Sequence, residues 1–254
     1  MERRQEFRAS AREYGIPEHL IDWALRFALP RIELRPEEHG PGPVVGRYGG
    51  LPLLPPDVEW TGYPHYFASV DCAALPGGLD LPLPKDGHLL FFGNKDEPEW
   101  GDDSEDTEGR VVYVPAGIPT AERQPEAEHA GYVSEPFPLH GHPAWNMPST
   151  GHDVIESDEE WSQRWEEFGD IGYDNAPAGE LTLGGHASPI WDDPCLPPYP
   201  DGDTTPWRLL AQAHIPAMAG KTSLGTIFWL MRPEDIAERR FGKAKVRLEM
   251  YPPE

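Results

Sequence analysis

The sequence predicts an α+β protein, a mainly antiparallel β-sheet with a few helices, arranged as two related β-rich halves in one globular body. Its 254 residues include 31 prolines and 26 glycines, which favour short strands joined by turns over a helical bundle. Strand-like runs outnumber helical ones, and a similar succession of segments occurs twice. We therefore expect the whole chain, residues 1–254, to form a single domain.

Residues 1–44 are the predicted N-terminal helical segment. Pro17 suits a first helical turn, and Pro30 marks the end of the helix. Apolar residues between the two prolines recur at helical spacing and define one face, made of Leu20, Ile21, Ala24, Leu25 and Ala28. We expect this face to pack against the sheet.

Residues 45–115 are the predicted first β-rich half. Within it, "GHLLFFGN" and "RVVYVP" are strand-like and flank an acidic run at residues 95–109, which is typical of an exposed connection. The acidic run does not match a calcium-binding loop that starts at Asp102. Position six is then Thr107 where the loop needs glycine, and position twelve is Tyr113 where it needs glutamate.

Residues 116–180 are a predicted connecting region with one helix near residues 157–168. Ser157 and Glu160 have the spacing of a capping box at the start of this helix. An apolar stripe follows, made of Trp161, Trp165 and Phe168.

Residues 181–254 are the predicted second β-rich half. A short helix is expected in "RPEDIAERRF", because Pro233 suits its first turn. The following "KAKVRLEMY" alternates between apolar and polar residues, as a half-buried strand does.

The two halves share an order of segments: a Gly-Gly turn, a proline-rich loop ending near tryptophan, a strand, and an aromatic strand. Gly50 and Gly185 are 135 residues apart, and Phe67 and Leu210 are 143 apart. We interpret this similarity as an internal duplication. The strands around Phe67 and Leu210 are then expected to occupy matching positions and to meet near an axis that relates the two halves. This junction would bring Gln212 and His214 toward Ser69 and Asp71.

The charge of the chain excludes some partners. Lys and Arg total 21 against 44 Asp and Glu, a formal charge of −23. Such a surface repels nucleic acid and anionic membranes, so we expect neither as a partner and favour a basic protein. No apolar run has the length of a signal peptide or membrane span. With Cys72 and Cys195 interpreted as reduced, buried thiols, we expect a cytoplasmic protein.

A search for reaction chemistry finds no decisive motif. "AGKTSLG" lacks the first glycine of a phosphate-binding loop, and no serine lies in a G-x-S-x-G elbow. Pairs such as Asp192 and Asp193 are expected by chance in so acidic a chain. We therefore predict no catalytic residue, metal ligand or cofactor. Whether the protein is an enzyme stays open, with a non-catalytic role favoured.

Several stretches, taken in order, carry a family resemblance: "GRYGGLPLLPPDVEW", "PKDGHLLFF", "LTLGGHASPIWDDP", "WRLLAQAHIPA" and "GTIFWLMRPEDIAERRFGKAKV". In this order they resemble the YwqG-like family, bacterial proteins of unknown function, over residues of about 45 to 250. The resemblance implies an α+β fold with two related β-rich halves. The chain departs from the family pattern at Ser69 and Trp191, where glutamine is usual, and at His214, where an acid is common.

Two hypotheses for function follow. The first is a protein-binding module with an acidic, aromatic-rich surface, a class that includes immunity proteins that neutralise basic toxin nucleases. The alternative is a metal-dependent enzyme or small-ligand binder with a cleft between the halves, lined by His140, His142, His186 and His214. The partner- or ligand-binding residues predicted from the sequence are Gln212, His214, His186, Trp191, Asp71 and Trp60.

Overall fold

The described residues form twelve strands, ten of them in one antiparallel sheet, and a few short helices, which confirms the predicted α+β class. The computed structural model describes residues 2–39, 42–60, 65–94, 109–148, 180–189, 193–196, 207–215 and 225–250. The predicted helix near residues 157–168 lies outside these ranges, as does the acidic run at residues 95–109 except for Gly109. Within the described ranges, no helix combines the length and the apolar character needed to cross a bilayer.

The sheet strands are β1 (Leu29–Arg35), β2 (Val44–Tyr48), β4 (His65–Asp71), β5 (His88–Gly93), β6 (Gly109–Val114), β8 (Phe137–Asn146), β9 (Leu181–Gly184), β10 (Arg208–Ile215), β11 (Gly225–Met231) and β12 (Lys245–Met250). A separate two-stranded sheet pairs β3 (Leu53–Leu54) with β7 (Ala121–Glu122). The α-helices are α1 (Glu2–Glu13), α2 (Glu18–Phe27) and α3 (Pro233–Ala237), and 3-10 helices cover Glu37–His39, Ala127–Tyr132 and Phe241–Lys243.

Strands β1 and β8 form the centre of the large sheet. The strand order is β12-β11-β10-β9-β1-β8-β2-β4-β5-β6, so five strands lie on each side of the β1–β8 boundary. Both central strands come from outside the two predicted β-rich halves. The sequence signal for β8 is weak because Pro138 and Pro143 lack backbone N–H groups, and prolines are typical of loops and strand edges.

The two sides of the sheet have corresponding local features. A Gly-Gly pair with positive φ angles follows β2, and the last residue of β9 begins another such pair. An irregularity in strand register occurs at Phe67 in β4 and at Leu210 in β10. The two strands also occupy equivalent places, each third from the β1–β8 boundary. A common origin of the two halves stays a prediction.

The sheet curls until its two ends face each other across one apolar core. Trp229 in β11 contacts Phe91 in β5 at a ring-centroid distance of 5.3 Å. Seven strand positions separate β11 from β5, which in a flat sheet would place them about 34 Å apart. The indole N–H of Trp229 donates to the carbonyl oxygen of Phe92 at 2.9 Å, which satisfies the buried donor. Both sides of the sheet therefore share one core.

The outer face of the sheet carries three smaller apolar clusters. Helices α1 and α2 cover its centre, where Phe7 packs edge-on against Trp145 of β8 at 5.1 Å. The helical face predicted in residues 1–44 is confirmed, since Leu20, Ile21 and Ala24 are buried. One further cluster surrounds Trp60 over β4 and β5, and another surrounds Trp207 over β10 and β11.

Gly109 in β6 lies where a side chain would press on β12. An added Cβ would lie 2.8 Å from a methyl carbon of Val246 and 2.9 Å from the carbonyl oxygen of Phe92. We expect Gly109→Ala to lower the free energy of unfolding by about 1–3 kcal/mol, because the two sheet ends must separate. Urea denaturation measures this. Gly131→Ala, whose Cβ has open space, is the control; equal effects would contradict the close approach.

Asp235 in α3 ties the helix to the 3-10 helix that follows it. Its carboxylate accepts a hydrogen bond from Arg240 at 2.6 Å, and the Lys243 ammonium lies 3.4 Å away. Burial alone would raise the pKa of Asp235, but hydrogen bonds from Arg240 and Lys243 outweigh burial and lower it.

A lowered pKa means that the folded state prefers the charged carboxylate. The stability from Asp235 is present above the ordinary carboxyl pKa of about 3.9 and is lost as pH falls through the lowered value. We therefore expect Asp235→Asn to be destabilising at neutral pH and nearly neutral in strong acid. Unfolding free energies across this range test the sign; a constant deficit at every pH would contradict it.

Candidate functional site

A row of polar side chains crosses the outer face of the sheet at its centre. His142, Glu33, Thr182 and Gln212 lie at directly opposite positions on β8, β1, β9 and β10. Opposite residues of an antiparallel pair project from the same face, so the four side chains form one line. Gln212 is the member of this row that the sequence predicted as a site residue.

Hydrogen bonds and an ion pair join the row. The Thr182 hydroxyl donates to a Glu33 carboxylate oxygen at 2.9 Å, and Arg31 Nε lies 2.6 Å from the other oxygen. Gln212 Oε1 accepts the backbone N–H of Ser188 at 2.9 Å. Glu33 is 0% exposed and Gln212 is 2% exposed. Such buried and mutually bonded groups are typical of structural networks, since each desolvated charge needs a partner.

His186 joins the second Gly-Gly turn to the N-terminal helices. Its Nε2 donates to the carbonyl oxygen of Phe27, at the end of α2, at 2.7 Å. The Asn146 side chain accepts the His186 N–H at 2.9 Å and donates to the His186 carbonyl oxygen at 2.8 Å. The geometry gives this predicted site residue a role in positioning the turn.

His214 lies at the outer surface beside β11. Its Nδ1 is 3.2 Å from the Thr226 hydroxyl, which occupies the opposite position on that strand. The ring is exposed on one side, while protein atoms limit its hydration on the other and lower its pKa. His214 is therefore more accessible than Gln212, although the two lie on the same strand.

The other predicted site residues lie elsewhere. Asp71 ends β4, and its carboxylate accepts the N–H of Ala73 at 2.9 Å in a local turn. Trp60 is 4% exposed and packs against Tyr66 and Phe92, which makes it a core residue. Trp191 lies outside the described residues.

The structure does not bring the predicted junction together. The sequence analysis placed matching strands near one axis, whereas β10 and β4 are five positions apart in the sheet. Gln212 faces Phe228 in one outer cluster, and Ser69 faces Leu90 in another. Both side chains thus point away from the shared core. Because both side chains lie on the outer face of the curled sheet, the curl moves Gln212 and Ser69 apart.

The histidines predicted to line a cleft do not form one metal-ligating cluster either. His140 and His142 lie on β8, in a strand rather than in a loop, and His140 Nδ1 donates to the Gly42 carbonyl oxygen at 2.8 Å. Among the described residues, the group with metal-ligating spacing is an exposed one made of Glu126, Glu128 and His129. None of the histidines proposed to line a cleft belongs to it.

Neither thiol is arranged as a nucleophile. Neither Cys72 nor Cys195 is in a disulfide, and burial raises the pKa of Cys72 to about 12. Burial, followed by the neighbouring Asp193 carboxylate, raises the pKa of Cys195 well above its ordinary value. A cysteine nucleophile needs a lowered pKa, which favours the thiolate. The two groups therefore remain thiols at neutral pH.

An acidic surface lies on the side of the sheet that contains β2, β4, β5 and β6, away from the polar row. We call it the crossover surface: residues 115–136, which link β6 to β8, together with Leu53, Asp57 and Glu59. The β3–β7 pairing holds it in place, aided by a hydrogen bond from the Gly50 N–H to the Ser134 carbonyl oxygen at 2.8 Å. Its exposed acids are Asp57, Glu59, Glu122, Glu126, Glu128 and Glu135.

Sequence analysis treated most of this surface as connecting region. Two sequence features could have indicated this surface: the glutamates around "PEAEH", which have no basic neighbours to balance them, and the proline-rich loop that precedes Trp60. They give no information on which loops meet, because the β3–β7 contact joins residues that are 68 positions apart, Leu53 and Ala121.

A curled antiparallel sheet around a shared core, with a few helices, defines an α+β protein. The chain belongs to the family described as domain of unknown function DUF1963, whose model matches residues 46–249. The match includes both outer sets of strands but leaves out α1, α2 and β1. No curated protein matches the chain.

Substitutions of Gln212 and His214, the two predicted site residues on β10, distinguish a structural role from a surface role. Gln212→Ala removes a buried acceptor and leaves the Ser188 N–H unsatisfied, so we expect a loss of about 1–3 kcal/mol in unfolding free energy. His214→Ala removes an exposed ring and is expected to cost under about 1 kcal/mol. Chemical denaturation measures both; an effect of His214→Ala as large as that of Gln212→Ala would contradict this assignment.

Proposed function

We propose that the protein is a binding module that captures a basic protein partner through its acidic outer surface. The observation that carries the proposal is the formal charge of −23 over 254 residues. Complementary charge accelerates association and disfavours acidic competitors. Catalysis gains no support from the described histidines and thiols, because they do not converge on one cavity.

The chemistry of the partner follows from the charge. Proteins that bind nucleic acid carry clustered Lys and Arg, and an acidic protein competes with phosphate for that surface. A toxin nuclease held by an immunity protein is one such partner. The YwqG-like resemblance implies a bacterial source, and the cytoplasm is the compartment expected from the sequence. The two free thiols suit that reducing compartment.

Co-purification of the tagged full-length chain from its own cells tests the proposal. We expect a stoichiometric protein partner with an isoelectric point above about 9, released as salt rises from about 0.05 to 0.5 M, because screening weakens charge attraction. Salt titration of the purified pair by calorimetry or interferometry measures the dependence.

Two results would contradict this function. One is a stable partner with an acidic or neutral surface whose affinity does not depend on salt. The other is turnover of a small molecule by the purified chain that is lost when His214 is replaced by alanine while the unfolding free energy is preserved. Such turnover would identify a reaction centre at β10 instead.

A further inference from the structure

Exposed apolar side chains concentrate on the crossover surface. The described part of the chain has five exposed large hydrophobic residues, and Leu53, Ile118 and Tyr132 belong to this surface, with exposures of 48%, 45% and 38%. Of the other two, Tyr14 follows α1 and Val44 begins β2. Exposed apolar groups surrounded by polar residues are typical of protein-binding sites.

Two acids of the crossover surface, Glu126 and Glu128, lie beside His129, whereas four others form no ion pair with the cations near them. Asp57, Glu59, Glu122 and Glu135 form no ion pair within the described chain. The two arginines beside them bind backbone instead: Arg110 donates to the Glu59 carbonyl oxygen, and Arg123 donates to the Pro55 carbonyl oxygen at 3.4 Å. The negative charge of this surface is thus left for a partner.

A depression lies beside Asp57 and Glu59. It has a volume of about 350 Å³ and is lined by residues 56–59 and Arg110. This volume is at the lower end of the range for ligand pockets. Asp57 and Glu59 supply carboxylates on its wall, the groups that a lysine or arginine side chain pairs with.

The surface is held in shape before any partner arrives. The Arg123 N–H donates to the Pro52 carbonyl oxygen at 3.1 Å, which adds to the β3–β7 pairing. The Tyr132 ring lies 4.6 Å from the His65 ring and 5.6 Å from the His129 ring, so it is fixed from two sides. Such preorganisation lowers the entropy cost of binding.

We propose that the crossover surface is the docking site of the basic partner, and that it accepts an extended protein segment with alternating cationic and apolar side chains. The inference rests on the proposed function. Leu53, Ile118 and Tyr132 contact the apolar residues of the segment, while Asp57 and Glu59 receive a Lys or Arg side chain in the depression.

The probe is a short peptide of alternating lysine and leucine, with a glutamate-for-lysine peptide as its counterpart, titrated against the full chain. Asp57→Asn, Glu59→Gln and Glu122→Gln are combined in one variant. The control variant removes the same charge from exposed acids elsewhere, through Glu6→Gln, Glu13→Gln and Glu234→Gln. Circular dichroism and urea unfolding confirm that both variants fold.

We expect the crossover variant to weaken lysine-peptide binding about tenfold near 0.15 M salt and the control by under about twofold. Leu53→Asn should weaken binding more than Val44→Asn does. Equal losses in the two charge variants would overturn this docking site but leave the proposed function in place. No binding of the lysine peptide to the unaltered chain, or equal binding of the glutamate peptide, would overturn both.

Discussion

The contact of Trp229 with the opposite end of the sheet is the constraint on which the rest of the structure depends. Its ring packs against Phe67 and Phe91, and its N–H satisfies the Phe92 carbonyl oxygen. This contact joins the two ends of a curled ten-stranded sheet around an apolar interior. Every polar side chain on a sheet strand must then lie at a strand end or on the outer face.

The outer face divides into a structural part and an accessible part. At its centre, Glu33 is fully buried and bonded to Thr182 and Arg31. Removing one partner of such a group leaves an uncompensated charge, so these residues are constrained by folding. The crossover surface has no comparable constraint. Its glutamates are exposed.

The sequence predicted the outer strands but not the centre of the sheet. β5 and β11 are apolar runs, and β12 alternates, so each carries its own signal. β8 was missed because its two prolines and one glycine are typical of a loop. The predicted meeting of Gln212 and Ser69 near one axis was wrong for another reason. Period-two alternation shows that Gln212 and Ser69 lie on a polar face, but not whether that face is inside or outside the curl.

Trp60 illustrates the same limit for single residues. A tryptophan in a proline-rich loop suits either an interface or a core, and the structure places Trp60 under its loop against Tyr66 and Phe92. The accessible aromatic residue on this side of the sheet is Tyr132 instead, which lies in the predicted connecting region. Long-range pairing of β3 with β7 decides this, and no local pattern encodes it.

Hydrogen–deuterium exchange on the complex with the native partner tests the central claim most directly. The account predicts that partner binding slows amide exchange in residues 51–59 and 115–136 and leaves β9 and β10 unchanged. Slowed exchange confined to β9, β10 and the turn that holds His186 would contradict it. Binding would then occur at the polar row, and the buried hydrogen bonds of Glu33 and Gln212 would belong to a ligand site.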